Sequence, residues 1–270
     1  MHMNRHRSRL YTVYGFLSLH IWGRLSDSIQ LSLSAAIARF YRTGISRFLI
    51  RPYCWWQYGD PNYHRHFRPG NGGKRYTSFQ DFFTRDFSTP PAIKSNSVWP
   101  CEGYLCESGK VSALSTVNIK GETRTIQTIF GIQDNDISKD SFFSNVFLHN
   151  NNYHHIHSPV TGTITRIERI SGKLLLLRPW AYKSAPSLPA LTNERVNIDI
   201  TDKSGKCWLL SVVGGPLVAT IKMVTGIVVG ANVTVGQKIS SFELGSTCCL
   251  VSPHPPNAHV GDIVKIGAPI

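Results

Sequence analysis

Acidic residues are scarce. The 270-residue chain has 16 Asp and Glu against 29 Lys and Arg, a formal net charge of +13, and Asp27 is the only acid in the first fifty residues. A surface so poor in carboxylates carries a positive field that attracts anionic membrane lipid, nucleic acid or an acidic partner protein. No Lys/Arg-rich block recurs with interleaved aromatics, and no zinc-finger or RNA-binding signature is present, so nucleic acid is not the expected partner. The anionic membrane surface is. The six cysteines, Cys54, Cys101, Cys106, Cys207, Cys248 and Cys249, include no CxxC pair. That argues against a zinc site or a disulfide framework and for free, mostly buried thiols. No metal is expected. Long hydrophobic runs are also missing: the stretch from Leu10 to Trp22 falls short of the roughly 20 apolar residues that a spanning helix needs. With 41% hydrophobic and 11% aromatic residues, the chain reads as folded rather than disordered.

The start of the chain is basic. Arg5, Arg7 and Arg9 precede the apolar stretch, the pattern of a mitochondrial targeting segment, so a mitochondrial, inner-membrane-associated but not membrane-spanning protein is expected. Leu10, Val13, Tyr14, Leu17 and Ile21 share one helical face, as do Ile29, Leu33, Ile37 and Phe40. Two amphipathic helices are expected, with faces that suit either the protein's own core or lipid. Residues 46–74, with Trp55, Trp56, Pro61, Pro69 and the Gly70 to Gly73 cluster, read as a long inserted loop. Ser78 is placed as an N-cap and Asp81 as the acid three residues later, so a short helix starts there.

Beyond Pro100 the pattern changes to short runs of Val, Ile, Thr and Leu between glycine-containing turns. Val196, Ile198 and Ile200 alternate with Asn197, Asp199 and Thr201, and Lys203 to Gly205 turn the chain into Trp208 to Val213. This predicts a hairpin with one buried face. The expected fold is α+β: N-terminal amphipathic helices over residues 1–75, then a β-rich domain over 76–270 that is closed like a barrel or packed like a sandwich.

Three separated segments supply the parts of an activated nucleophile: Glu102, then His154 and His157, then Ser246. Each alone is commonplace. Together they fall in the order of a known family. Ser78-Phe79-Gln80-Asp81-Phe82-Phe83-Thr84-Arg85, Pro100-Cys101-Glu102-Gly103, Lys120-Gly121, Asn152-Tyr153-His154-His155-Ile156-His157-Ser158-Pro159, Asn193-Glu194-Arg195-Val196, Leu244-Gly245-Ser246-Thr247 and the ending Gly261-Asp262 through Gly267 resemble the motifs of the phosphatidylserine decarboxylases.

The resemblance implies a two-stage chemistry. Ser246 attacks the carbonyl of Gly245, His157 takes the hydroxyl proton, and Glu102 orients that imidazole. Elimination then parts the chain between Gly245 and Ser246 and leaves a pyruvoyl group at position 246. That ketone forms a Schiff base with the amine of phosphatidylserine and accepts electrons as carbon dioxide leaves, with His154 as proton donor and no further cofactor. The sequence departs from the family pattern at Glu102 (family Asp), His155 (family Arg), Asn152 (family Asp) and Lys238 (an acid expected). Two readings follow: an active decarboxylase, or an uncleaved family member that serves as a structural subunit of a mitochondrial inner-membrane complex, with the segment at 46–74 as an interface.

Overall fold

The computed structural model describes residues 21, 24–114, 117–119, 122–133, 137–173, 175, 186–215, 221–243 and 246–270. The arginines Arg5, Arg7 and Arg9 on which the expectation of import rests, the first amphipathic face up to Leu17, the Lys120-Gly121 step, Leu244 and Gly245 lie outside them, as does the Ser246 side chain. The elements run α1 (Asp27–Tyr41), a 3-10 turn (Gly44–Leu49), α2 (Ile50–Tyr58), a second 3-10 turn (Tyr63–His66), β1 (Phe67–Arg68), α3 (Phe79–Phe83) and β2 (Asp86–Phe87). They continue through β3 (Gly103–Lys110), β4 (Val117–Ile119), β5 (Glu122–Arg124), α4 (Ile126–Phe130), β6 (Phe142–Leu148), β7 (His155–His157), β8 (Gly162–Ile170) and α5 (Leu188–Thr192). The last are β9 (Arg195–Asp202), β10 (Cys207–Gly214), β11 (Ile221–Met223), β12 (Asn232–Val233), β13 (Lys238–Phe242), β14 (Ser246–Ser252) and β15 (Ile263–Val264).

The expected α+β class holds, with helices first and strands after. The stretch expected as a long loop does not: its first half is helical. Ile50 and Cys54 face inward from α2, and the helix stops at Gly59, whose φ of 74° is left-handed and suits glycine. Pro52 sits in the first turn, where its missing N–H costs nothing. The helix at Ser78 forms as expected, since the Ser78 hydroxyl accepts from the Asp81 N–H at 3.2 Å.

An eight-stranded sheet has the order β12-β8-β9-β10-β14-β6-β3-β15, and β11-β13-β7 form a smaller sheet beside it. The large sheet ends in edges at β12 and β15 among the described residues, so of the two arrangements expected, barrel or sandwich, barrel closure is not found. The β9–β10 hairpin is present, pairing Ile198 with Leu210 and Val196 with Val212. Both its faces are buried, not one. Side chains alternate across a strand: Val196, Ile198, Leu210, Val212 and Leu250 join a core with α3 and the smaller sheet. Leu209, Val213 and Val251 join a second core under Ile129, Phe130 and Leu191 of α4 and α5. Asn197 is therefore buried, and its amide donates to the Ile129 carbonyl at 3.1 Å.

The second amphipathic helix is α1. Its small and polar residues Gln30, Ser34 and Ala38 are the buried ones, while Ile29, Leu33 and Phe40 are exposed. Of the two destinations open to that apolar face, the protein's own core is not the one observed.

Candidate active site

The strands place the sequence-predicted segments side by side. β7 pairs with β13, so His157 lies opposite Lys238 and His155 opposite Ser241. The Phe242 N–H donates to the His154 carbonyl at 2.9 Å, and the His157 N–H to the Pro100 carbonyl at 2.8 Å. Ser246 opens β14 between Leu148 of β6 and Gly214 of β10. Gly103, immediately after Glu102, opens β3 against the same end of β6, where a Cβ would stand 2.4 Å from the Phe147 carbonyl oxygen. Glycine is needed there because the two backbones touch. Glu102, the histidine segment and the start of β14 thus share one end of the sheet.

α3 and the residue after it hold this end together. The Gln80 amide donates to the Glu243 carbonyl at 2.8 Å, three residues before Ser246. Arg85 is buried and has no carboxylate among its hydrogen-bond partners. Its guanidinium donates to the carbonyls of Asn151 at 2.7 Å and Asn152 at 3.0 Å and to the Tyr58 hydroxyl at 3.0 Å. The faces of Phe67 and Phe82 lie 4.8 Å from it, which suits a desolvated cation. Arg85 thereby fixes the loop that leads into His154. Glu243 is buried between Arg42 and Lys222. Burial pushes its carboxyl up, but the bonds from Lys222 and Arg42 outweigh this and hold it below the ordinary range.

His154 is fully buried against Phe83, with ring centroids 4.0 Å apart. Its Nδ1 lies 2.8 Å from the Asn152 carbonyl, so Nδ1 carries the hydrogen and Nε2 the lone pair. Among the described residues that Nε2 has no hydrogen-bond partner. Burial, and then the charge of Arg85, push the imidazole well below its usual pKa. His157 is likewise buried; its Nδ1 lies 2.6 Å from the Gly236 carbonyl, which again leaves the lone pair on Nε2. The Tyr153 hydroxyl is 3.3 Å from that Nε2. Burial lowers the His157 pKa to about 4.

The structure does not bring Glu102 to His157. The Glu102 carboxylate accepts from the Asn152 side chain at 2.9 Å, so it supports the segment whose carbonyl holds His154. Sequence reasoning gave no role to Gln80, Arg85, Asp86 or Tyr153. All four stand inside or beside quoted motifs, but their partners are distant in sequence and nothing local named them. Lys238, noted only for its charge, binds Asp86.

The residues present fit a pyruvoyl group made from the chain. A serine stands at position 246 at the start of a strand, and an orphaned imidazole nitrogen is buried at the same end of the sheet.

The family model for phosphatidylserine decarboxylase matches residues 79–270, well over half of the chain. The chain is 27% identical over 209 residues to the phosphatidylserine decarboxylase proenzyme of Psychrobacter cryohalolentis, covering 72% of this chain and 75% of that protein. It is also 27% identical over 219 residues to the proenzyme of Marinobacter nauticus, covering 71% and 76%. The proenzyme of Shewanella denitrificans matches at 29% over 157 residues, covering 56% of this chain and 54% of that protein. The sheet, the histidine segment and the serine at the start of β14 all lie within the matched span, and the chain belongs to the phosphatidylserine decarboxylase family.

Proposed function

We propose that this protein is a self-processing phosphatidylserine decarboxylase that works at an anionic membrane surface. The observation that carries the reading is the pair of buried, neutral imidazoles at the scissile end of the sheet, each with its hydrogen on Nδ1 and its lone pair on Nε2. That is the tautomer a proton acceptor needs.

In processing, the Ser246 hydroxyl attacks the Gly245 carbonyl and His157 Nε2 takes its proton. Gln80, bonded to the Glu243 carbonyl, anchors the chain two residues before Gly245. The acyl group moves from the Ser246 nitrogen to its oxygen, β-elimination of that ester frees the Gly245 carboxylate and leaves a dehydroalanine at 246, and one water then releases the nitrogen as ammonia. Converted to a pyruvoyl group, position 246 supplies a ketone for the substrate amine and a sink for the electrons of the breaking carbon–carboxylate bond. His154, neutral at rest, takes up at Nε2 the solvent proton that decarboxylation consumes and passes it to the substrate carbon. An imidazole whose pKa is driven far down by burial gives such a proton up readily, and Arg85 and Glu102 keep the ring in place through the Asn152 carbonyl and side chain.

The membrane reading is supported by a surface without acids. No Asp or Glu occurs from residue 28 to 59. Ile45, Phe48, Trp55 and Trp56 project from it, with exposures of 71%, 69%, 66% and 73%, among the exposed Arg39, Arg47 and Arg51. Such a face combines apolar insertion with attraction to anionic headgroups. No helix among the described residues is long and apolar enough to cross a membrane.

One observation favours the second reading, an uncleaved structural subunit: Glu102 is bound to Asn152 rather than His157. The intact mass of the purified chain separates the two. Two fragments parted before Ser246, lost in Ser246→Ala, establish the enzyme. A single full-length chain with no carbon dioxide release from phosphatidylserine overturns it.

A further inference from the structure

Asp86 lies on β2, far in sequence from the histidine segment, yet one of its oxygens collects three groups. The Tyr153 hydroxyl is 3.1 Å from Asp86 Oδ1, the Lys238 ammonium bonds the same oxygen, and His155 Nε2 is 3.8 Å away. The same Tyr153 hydroxyl stands 3.3 Å from His157 Nε2. We infer that Asp86, acting through Tyr153, is the carboxylate that positions and charge-balances His157. This inference rests on the reading of His157 as the processing base.

The hydrogen count gives the relay its logic. Tyr153 has one hydroxyl hydrogen and two neighbours able to accept it. While His157 is neutral, with Nδ1–H on the Gly236 carbonyl, the hydroxyl donates to Asp86 Oδ1 and leaves the Nε2 lone pair free to take a proton. When Nε2 takes the proton of the Ser246 hydroxyl, the imidazolium donates to the Tyr153 oxygen, and the hydroxyl hydrogen stays hydrogen-bonded to Asp86. No proton reaches the carboxylate, so one fixed negative charge faces one new positive charge across a single hydroxyl. Tyr153 is buried and clamped between the rings of Phe87 at 4.3 Å and His155 at 4.7 Å, which holds its oxygen between the two partners.

Lys238 explains why a carboxylate is needed at this place. It lies directly across the strand pair from His157, so its charge opposes any proton on that ring. Asp86 binds Lys238 and offsets it. The groups that act on His157 are Tyr153 and His155 from its own segment, Asp86 from β2 and Lys238 from β13. Arg85 acts on Tyr153. The Asp86 carboxyl itself stays ionised: burial raises its pKa, but Lys238, His155 and Tyr153 together bring it below the ordinary value.

The test is the titration of His157 by NMR in Ser246→Ala protein, which reports on the ring whether or not the wild type cleaves. Lys238→Met should raise the His157 pKa by about 1, the size expected when an adjacent charge is removed. Most of that rise should vanish in Lys238→Met with Asp86→Asn, and again in Lys238→Met with Tyr153→Phe. Lys238→Gln repeats the measurement should methionine fail to fold. On the cleavable background, the acid limb of the cleavage rate against pH should move in step with the titration of the ring. A rise that persists undiminished without Asp86 or without the Tyr153 hydroxyl overturns the relay. If the titrations behave as stated while the wild-type chain stays intact by mass, the processing reading fails and the relay stands.

Discussion

The Asn152 side-chain amide donates to the Glu102 carboxylate at 2.9 Å, and the carbonyl of the same Asn152 holds His154. Glu102 therefore reaches the chemistry through a neighbour.

Shortening the side chain tests this. Glu102→Asp should lose the Asn152 contact, and a displacement near 1 Å in such a constellation costs about a hundredfold in rate. Decarboxylation, measured as carbon dioxide release, should fall by that order while the cut before Ser246 is little changed. A faster cut in the Asp variant would show instead that the carboxylate belongs on His157.

Arg85→Met should loosen the loop before His154. The carbonyls of Asn151 and Asn152 each lose a charged donor but keep a neutral one, the Tyr58 hydroxyl and His154 Nδ1, so the cost is that of hydrogen bonds to a charged group, about 1.5–3 kcal/mol each. Urea denaturation should show the loss. Decarboxylation should fall beyond what unfolding explains, because the Asn152 carbonyl that accepts from His154 is no longer anchored by Arg85.

Acidification should destabilise the protein at a mildly acidic pH. His155 and His157 have folded pKa values lowered to about 4 by burial, against an ordinary 6.5. Below 6.5 the unfolded chain binds protons that the folded chain refuses, so stability is fully present above pH 6.5 and is lost as pH falls toward 4. Each tenfold difference in proton affinity between the folded and unfolded chains is worth about 1.4 kcal/mol, so the loss amounts to a few kcal/mol across that window. Thermal melts between pH 7 and pH 4 should show it, and His155→Gln should blunt it.

Trp55→Ser with Trp56→Ser should weaken sedimentation with vesicles containing anionic lipid without altering the fold, since both side chains are exposed. Added salt should weaken wild-type binding further, because exposed charges are screened within about 8 Å at physiological ionic strength. Equal binding of the double variant at low salt would remove the tryptophans from the surface contact.

Gly103→Ala should be costly although the change is small. The added Cβ meets the Phe147 carbonyl at 2.4 Å in a backbone-to-backbone contact that no rotamer relieves, and overpacking of this kind costs about 1–3 kcal/mol. Urea denaturation of Ser246→Ala protein with and without the change measures it apart from cleavage.

The sequence by itself determined the class of fold, the Ser78 cap, the β9–β10 hairpin and the family. These depend on local periodicity, turn chemistry and ordered motifs, which are written in neighbouring residues. It also supplied His154, His157, Ser246 and Glu102 as candidates. It misjudged the first half of residues 46–74, where prolines and tryptophans suggested a loop but inward-facing Ile50 and Cys54 make a helix over Ile50–Tyr58. It misjudged the second face of the hairpin, because Asn197 looks like a solvent residue until α4 covers it. Only the tertiary structure decided which acid meets which histidine. Asp86 and Lys238 are separated by 152 positions, and β2, which pairs with β1, meets the β7–β13 pair of the smaller sheet only in the folded chain. Hydrogen-bond partnership depends on fractions of an ångström between distant segments, and no local pattern records that.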